Sequence, residues 1–344
     1  MDDTRDLLER TGARFPFPEQ AFERMNRRRE RKVRNRRIGA WTVAAGIAVL
    51  AVVLATRAVP DARDRTGHRP SPSVAPTVDL NLGGPRHVFV QISSGDVGKM
   101  LPEGIDGGSF YPVSPDGTRF AFHPCCDPPV SSYVANVDGT GARRVSPDGV
   151  DAYGPRWSPD GTTVVYQGRN GFTQMIGNLF VADVAQTGRI RQVTELPQFQ
   201  NGWWFLSPTF SPDGTSILFH LPRGPGPTTW DLWSVPTTGG EPALVRRNAA
   251  FGEYSAEGDL VYLSPMQRNF LGSGLWVLED GKARQVVDAQ DIGWPRWSPD
   301  GTRIAYERGD DVHVVDVASG RSTRVSRGGR PEWFDDDTLV VARG

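Results

Sequence analysis

One pentapeptide dictates what this chain can become. Ser-Pro-Asp-Gly-Thr stands at 114–118, 158–162, 211–215 and 298–302, each time followed by a short apolar run: Arg-Phe-Ala-Phe, Thr-Val-Val-Tyr, Ser-Ile-Leu-Phe and Arg-Ile-Ala-Tyr. Looser copies begin at Ser255 and Phe334, and the acids at the third position are 116, 160, 213, 257, 300 and 336, spaced by 44, 53, 44, 43 and 36 residues. Internal repetition near 40–45 residues is the signature of propeller blades. Ser, Pro, Asp and Gly in that order suit a type I turn whose glycine takes positive φ, so each copy reads as a hairpin between two strands. An aromatic residue precedes most copies: Trp157, Phe210, Tyr254, Trp297 and Trp333.

A third strand follows each hairpin, as in Asn178-Leu-Phe-Val-Ala-Asp-Val or Val312-His-Val-Val-Asp-Val, and a turn leads to a fourth, as in Ala142-Arg-Arg-Val and Thr323-Arg-Val-Ser. Four strands per repeat make a blade. The last repeat stops after two strands, and a matching third-and-fourth-strand pair stands at the front, from His87-Val-Phe-Val-Gln-Ile to Val97-Gly-Lys-Met-Leu. The two termini are expected to share one blade and close the ring, which removes exposed sheet edges. Residues 86–344 are thus predicted to form an all-β, six-bladed β-propeller of about 43 residues per blade. The 39 glycines and 28 prolines fall largely in its turns and in a linker before it.

The aromatic-Ser-Pro-Asp-Gly-Thr hairpin followed by Ile-Ala-Tyr-type strands resembles the TolB-like propeller repeat, which also occurs in the propeller domains of prolyl-oligopeptidase-type proteins. The resemblance covers residues 87–344, with four strong copies and two weak ones. It implies a propeller that binds partner proteins. The whole arrangement resembles membrane-tethered propellers of actinobacteria, whereas TolB itself is a soluble periplasmic protein.

The anchor is read from residues 38–56, IGAWTVAAGIAVLAVVLAT, which carry no charge. Nineteen helical residues span roughly 28 Å, close to the ~30 Å hydrocarbon core. Residues 1–37 hold 12 basic and 7 acidic residues, with a run from Arg27 to Arg37 against the apolar segment. The positive-inside rule places this stub in the cytoplasm and the rest outside, in a single-pass plasma-membrane topology. The basic run is read as a topology and anionic-lipid signal, with no nucleic acid as partner. Residues 57–85, with Pro60, Pro70, Pro72 and Pro76, read as a disordered tether. A short helix starting near Pro18 is expected in the stub. The formal net charge of −1 is a sum of opposites, a basic stub and an acidic remainder.

The candidate site lies on the face that carries the connections between blades. Tyr153, Trp203, Trp204, Phe251 and Trp294, with Phe110 and Tyr111, each stand just before an inner strand and are expected to ring the mouth of the central channel. The position just before the first-strand aromatic of each blade is held by Pro112, Arg156, Thr209, Glu253, Arg296 and Glu332. Charge at a buried inner position must be paired or wet, so Arg156, Glu253, Arg296 and Glu332 either pair with one another or recognise a charged ligand. A second register, at the ends of the second strands, holds His123, Gln167, His220, Ser264 and Glu307. Its histidines suggest a metal, but that strand is not innermost, and neither a metal nor any cofactor is expected. Cys125 and Cys126 are adjacent, either as a vicinal disulfide or as two thiols. No nucleophile elbow, Walker loop or His-Glu-x-x-His motif occurs, so no catalytic residue is assigned. The sequence reads as a membrane-anchored extracytoplasmic module that engages a protein, peptide or glycan at its rim and channel. The alternatives are a transmembrane sensor whose cytoplasmic stub holds a regulator such as a sigma factor, and a hydrolase or lyase working in the channel.

Overall fold

A computed structural model describes residues 86–93, 97–100, 112–123, 130–169, 177–185, 189–196, 205–223, 229–264 and 272–343. The span at 38–56, the tether, the helix near Pro18, the cysteine pair, Phe110, Tyr111, Trp203 and Trp204 lie outside these residues. Among the described residues no helix is long and apolar enough to cross a membrane.

All the regular structure described is antiparallel β. Among the described residues twenty-two strands form five sheets, and the seven-stranded one divides at a shared strand, so six groups follow one another along the chain. The first contains β3 (Arg119–Phe122), β4 (Tyr133–Asn136) and β5 (Arg143–Arg144). Its innermost strand is reduced to a single bridge, Val113 to Phe120. Pro112 has no N–H to offer a ladder; its carbonyl instead accepts from Ala121 N at 3.0 Å. The second group runs from β6 (Asp151–Trp157) through β7 (Thr163–Arg169) and β8 (Asn178–Asp183) to β9 (Ile190–Gln192). The third is β10 (Thr209–Phe210), β11 (Ser216–Pro222), β12 (Trp230–Pro236) and β13 (Ala243–Arg246).

The fourth and fifth groups differ from expectation by sharing a strand. β14 (Ala250–Tyr254), β15 (Leu260–Leu263) and β16 (Gly272–Glu279) lead into β17, which runs unbroken for 16 residues from Lys282 to Trp297. The first half of β17 is the outer strand of blade 4, paired with β16, and its second half is the inner strand of blade 5, paired with β18 (Arg303–Arg308). The chain between the halves keeps its strand pairing, although Asp291 takes φ of 59° there. β19 (Asp311–Asp316) and β20 (Ser322–Arg327) complete blade 5.

The last group joins the two ends of the propeller in the order β2-β1-β22-β21. Here β21 (Gly329–Trp333) and β22 (Thr338–Arg343) meet β1 (Arg86–Gln91) and β2 (Val97–Met100). All six residues of β1 pair with β22, from Arg86 opposite Arg343 to Gln91 opposite Thr338. The fold is a β-propeller whose terminal strands complete one sheet.

The core lies between neighbouring blades. Ala121 and Val134 of blade 1 pack with Ala152, Trp157 and Val164 of blade 2. Ala305 and Val312 of blade 5 pack with Trp333 and Leu339 of blade 6. Val340 of blade 6 packs with Phe120, Phe122 and Ala135 of blade 1, which brings the ends of the series into contact.

The pentapeptide acts as the turn it was read to be. In the copy at 158–162, Ser158 Oγ donates to Asp160 Oδ1 at 2.5 Å, Thr162 N to the same oxygen at 3.0 Å, and Thr163 N to Ser158 Oγ at 3.0 Å. Gly161 takes φ of 68° and its N–H reaches Ser158 O at 2.9 Å. The aromatic before the turn has a separate duty. The indole N–H of Trp157 donates to Pro112 O at 2.9 Å, that of Trp297 to Glu253 O at 3.2 Å and that of Trp333 to Arg296 O at 3.0 Å. Each bond ties a blade to the inner strand of the blade before it.

Candidate functional site

Four inner strands carry a kink near the face with the connections between blades. The pairing registers of β6, β14, β17 and β21 with their partners shift between Tyr153 and Arg156, Ala250 and Glu253, Gly293 and Arg296, and Gly329 and Glu332. At the kink one residue is left-handed: Gly154 at φ 58°, Phe251 at 51°, Trp294 at 49° and Arg330 at 51°. Ser207, at the same repeat position of blade 3, has φ 46°. Left-handed backbone costs an L-residue about 1–2 kcal/mol, so four of these five positions carry strain that glycine would avoid.

The strain is held by the preceding blade. Gly154 N donates to His123 Nδ1 at 3.3 Å, Leu206 N to Gln167 Oε1 at 2.9 Å, Phe251 N to His220 Nδ1 at 3.3 Å, and Arg330 N to Glu307 Oε2 at 2.9 Å. The second-strand register that suggested metal donors is therefore a set of clamps on neighbouring backbone. Both histidines accept through Nδ1, which requires it to be unprotonated. Burial pushes their pKa values down to about 3, in keeping with neutral rings. Among the described residues no three His, Cys, Asp or Glu side chains are placed to hold a metal ion.

Below the kinks the four charged candidates meet. Arg156 donates through Nη1 to Glu332 Oε2 and through Nη2 to Oε1, both at 2.6 Å. Arg296 Nε reaches the same Oε1 at 3.1 Å, and its Nη1 donates to Pro295 O at 2.8 Å. Glu253 Oε2 accepts Trp297 N–H at 2.7 Å and lies within the fields of both arginines. Arg296 and Glu332 are each 6% exposed. Burial opposes the Glu332 charge, but Arg156 and Arg296 outweigh it and hold the carboxyl below its ordinary range. At Glu253 burial prevails and the pKa is raised. Burial, then the neighbouring Arg156, lowers that of Arg296. Arg156 and Arg296 thus both pair with Glu332, while Glu253 is held by the Trp297 backbone and pairs with neither guanidinium directly.

Beside Arg156 is a shallow cleft lined by Tyr153, Gly154, Arg156, Gln167, Phe205, Ser207, Pro208 and Trp294. It encloses about 310 Å³ of open space, adjoining solvent included. Tyr153 meets Phe205 edge-on at 6.2 Å and His123 at 5.6 Å, and the Arg169 guanidinium lies 4.7 Å from its ring. Trp294 meets Phe251 at 4.8 Å, and Arg330 lies 5.4 Å over its indole. Tyr153 and Trp294 thus line the cleft, whereas Phe251 is 2% exposed and backs Trp294 from within.

Sequence reasoning missed Phe205, Ser207 and Gly154. Phe205 is 40% exposed, the large hydrophobic residue most open to solvent among those described. Counting back four residues from the first turn residue of each repeat would have aligned Gly154 and Ser207 with Phe251 and Trp294.

Comparison with known proteins agrees with this architecture. Residues 261–338 match the family described as the dipeptidyl peptidase IV N-terminal region. An uncharacterized protein of Agrobacterium fabrum is 23% identical over 233 residues, 61% of this chain and 75% of that protein. Among solved structures, a chain assigned as TolB in Agrobacterium tumefaciens superposes with a TM-score of 0.57 at 17% identity, over 76% of this chain and 99% of its own. TolB from Acinetobacter baumannii gives 0.51 at 14% identity, over 77% of this chain and 65% of its own. At these identities the likeness is one of fold, and the fold is that of a TolB-like β-propeller.

Proposed function

We propose that this chain is a membrane-anchored, extracytoplasmic binding propeller that engages a protein, peptide or glycan at the mouth of its channel. The observation that carries the reading is the open cleft lined by Tyr153, Phe205 and Trp294, with Arg156 among its lining residues and tied to Glu332. Aromatic walls with a few polar groups are the usual composition of a ligand site. The likeness to TolB structures supports the scaffold, and the apolar 38–56 segment behind a basic run supports the anchor.

The test is capture of extracytoplasmic partners by crosslinking to the full chain in its host membrane, with Phe205→Ala and Trp294→Ala as variants. Loss of capture in both, with unchanged thermal melting, is the expected result. Capture indifferent to both variants removes the mouth as the site. Protease accessibility of the propeller in intact cells checks the orientation, and digestion only after lysis would contradict it.

A further inference from the structure

The left-handed residues at the mouth differ in size from blade to blade, and that difference creates the cleft. Blades 2 and 3 place Gly154 and Ser207 at this position, and both line the opening. A Cβ built on Gly154 meets nothing within 4 Å. Blades 4, 5 and 6 place Phe251, Trp294 and Arg330 there, with Phe251 edge-on to Trp294 at 4.8 Å and the Arg330 guanidinium 5.4 Å from the indole. Among the described residues the position is thus small in blades 2 and 3 and bulky in blades 4, 5 and 6.

Three further observations narrow what enters. First, the N–H groups of Gly154, Leu206, Phe251 and Arg330 are already taken by side chains of the preceding blades. An extended peptide draws much of its affinity from main-chain bonds, and these four donors cannot serve it. Second, Arg156, which lines the cleft, is tied with Arg296 to the buried Glu332, so a charged group entering would disturb buried pairs. Third, the walls offer rings at Tyr153, Phe205 and Trp294 with the Ser207 hydroxyl between them. Rings accept C–H faces and a hydroxyl exchanges hydrogen bonds with other hydroxyls.

We infer that the open sector, bounded by Gly154 and Ser207, receives an uncharged saccharide ring lying against Tyr153 and Trp294, and that the residue four before each turn sets where the mouth is open. This rests on the binding reading above and names its ligand class.

The experiment uses the full chain in detergent micelles and isothermal titration calorimetry. The probes are cellohexaose, maltohexaose, xylohexaose, mannohexaose and chitohexaose, with decaproline as the peptide arm. Binding of at least one hexasaccharide is expected. Ser207→Trp, which fills the cleft at a position already left-handed with a side chain, is expected to weaken that binding at least tenfold. Gly154→Asn, a residue tolerant of positive φ, is expected to do the same, and serves if Ser207→Trp does not fold. No hexasaccharide binding, or binding indifferent to Gly154→Asn, overturns the inference. Decaproline binding with the same sensitivity to the variants, in place of sugar, overturns the saccharide class and leaves the mouth as a peptide site. Partner capture that depends on Phe205 while every probe fails overturns the ligand class and retains the binding function.

Discussion

Glu332 accepts three guanidinium hydrogen bonds, two from Arg156 and one from Arg296. Removing one partner of a buried pair leaves an uncompensated charge, at about 3–5 kcal/mol. Glu332→Gln is therefore expected to destabilise by about that amount in urea unfolding. Glu253 behaves oppositely. Its folded pKa is raised, mainly by burial, so the folded chain holds that proton more tightly than the unfolded one. Its contribution to stability therefore increases as pH falls through the folded pKa toward the ordinary glutamate value of 4.5. Melting temperature followed against pH should show this rise in the parent and lose it in Glu253→Gln. The positions of all four charged residues were legible from the repeat. Their partners were not, because inner-strand register places side chains in the channel without saying how far a guanidinium reaches across it.

At the scale of elements, the hairpin and its preceding aromatic do different work. The turn is held by its own aspartate. At Asp116 the hydrogen bond from Ser114, then those from Thr118, lower the pKa to about 2. That turn's contribution is present above the usual carboxylate pKa and is lost as pH falls toward 2. Asp116→Asn should flatten the stability profile in that acid range. The indole bonds join one blade to the next instead. Trp157→Phe and Trp297→Phe each remove one buried hydrogen bond and are expected to lower stability by about 1 kcal/mol. They share no partner, so chemical denaturation of the double variant should give the sum. The hairpins were readable because the turn demands its residues. The kinks were not, since Gly154, Ser207, Phe251, Trp294 and Arg330 share a conformation and no chemistry. The unbroken β17 escaped for a related reason: nothing in its composition marks where one blade ends.

At the scale of the whole molecule, closure rests on β22, which pairs with β21 in its own blade and with β1 from the other end of the propeller. Val340 in that strand is 1% exposed and packs against Phe120 and Phe122 of blade 1. Val340→Asp places an unpaired charge at this joint and should cost about 4 kcal/mol or more. Limited proteolysis should then cut near the first and last strands before the middle blades. Closure was foreseeable from the ends because a half-blade at each terminus has one way to bury its edges.

The strand-end clamps all run one way round the ring. His123 acts on the entry of the second blade, Gln167 on the third, His220 on the fourth and Glu307 on the sixth. The entries of blades 2, 3, 4 and 6 are thus each held by the upstream neighbour. Under the proposed binding role, a map of substitutions that impair binding will be displaced by one blade from a map of residues that touch the ligand. Gln167 lines the cleft, so its effects will be direct as well as relayed. His220 and Glu307 are not among the cleft's lining residues, yet changes there will retune Trp294 through Phe251 and Arg330 on either side of it. Under that role, ligand preference in such a ring follows the order of the chain, and a search for its determinants among contact residues alone will miss the clamps behind them.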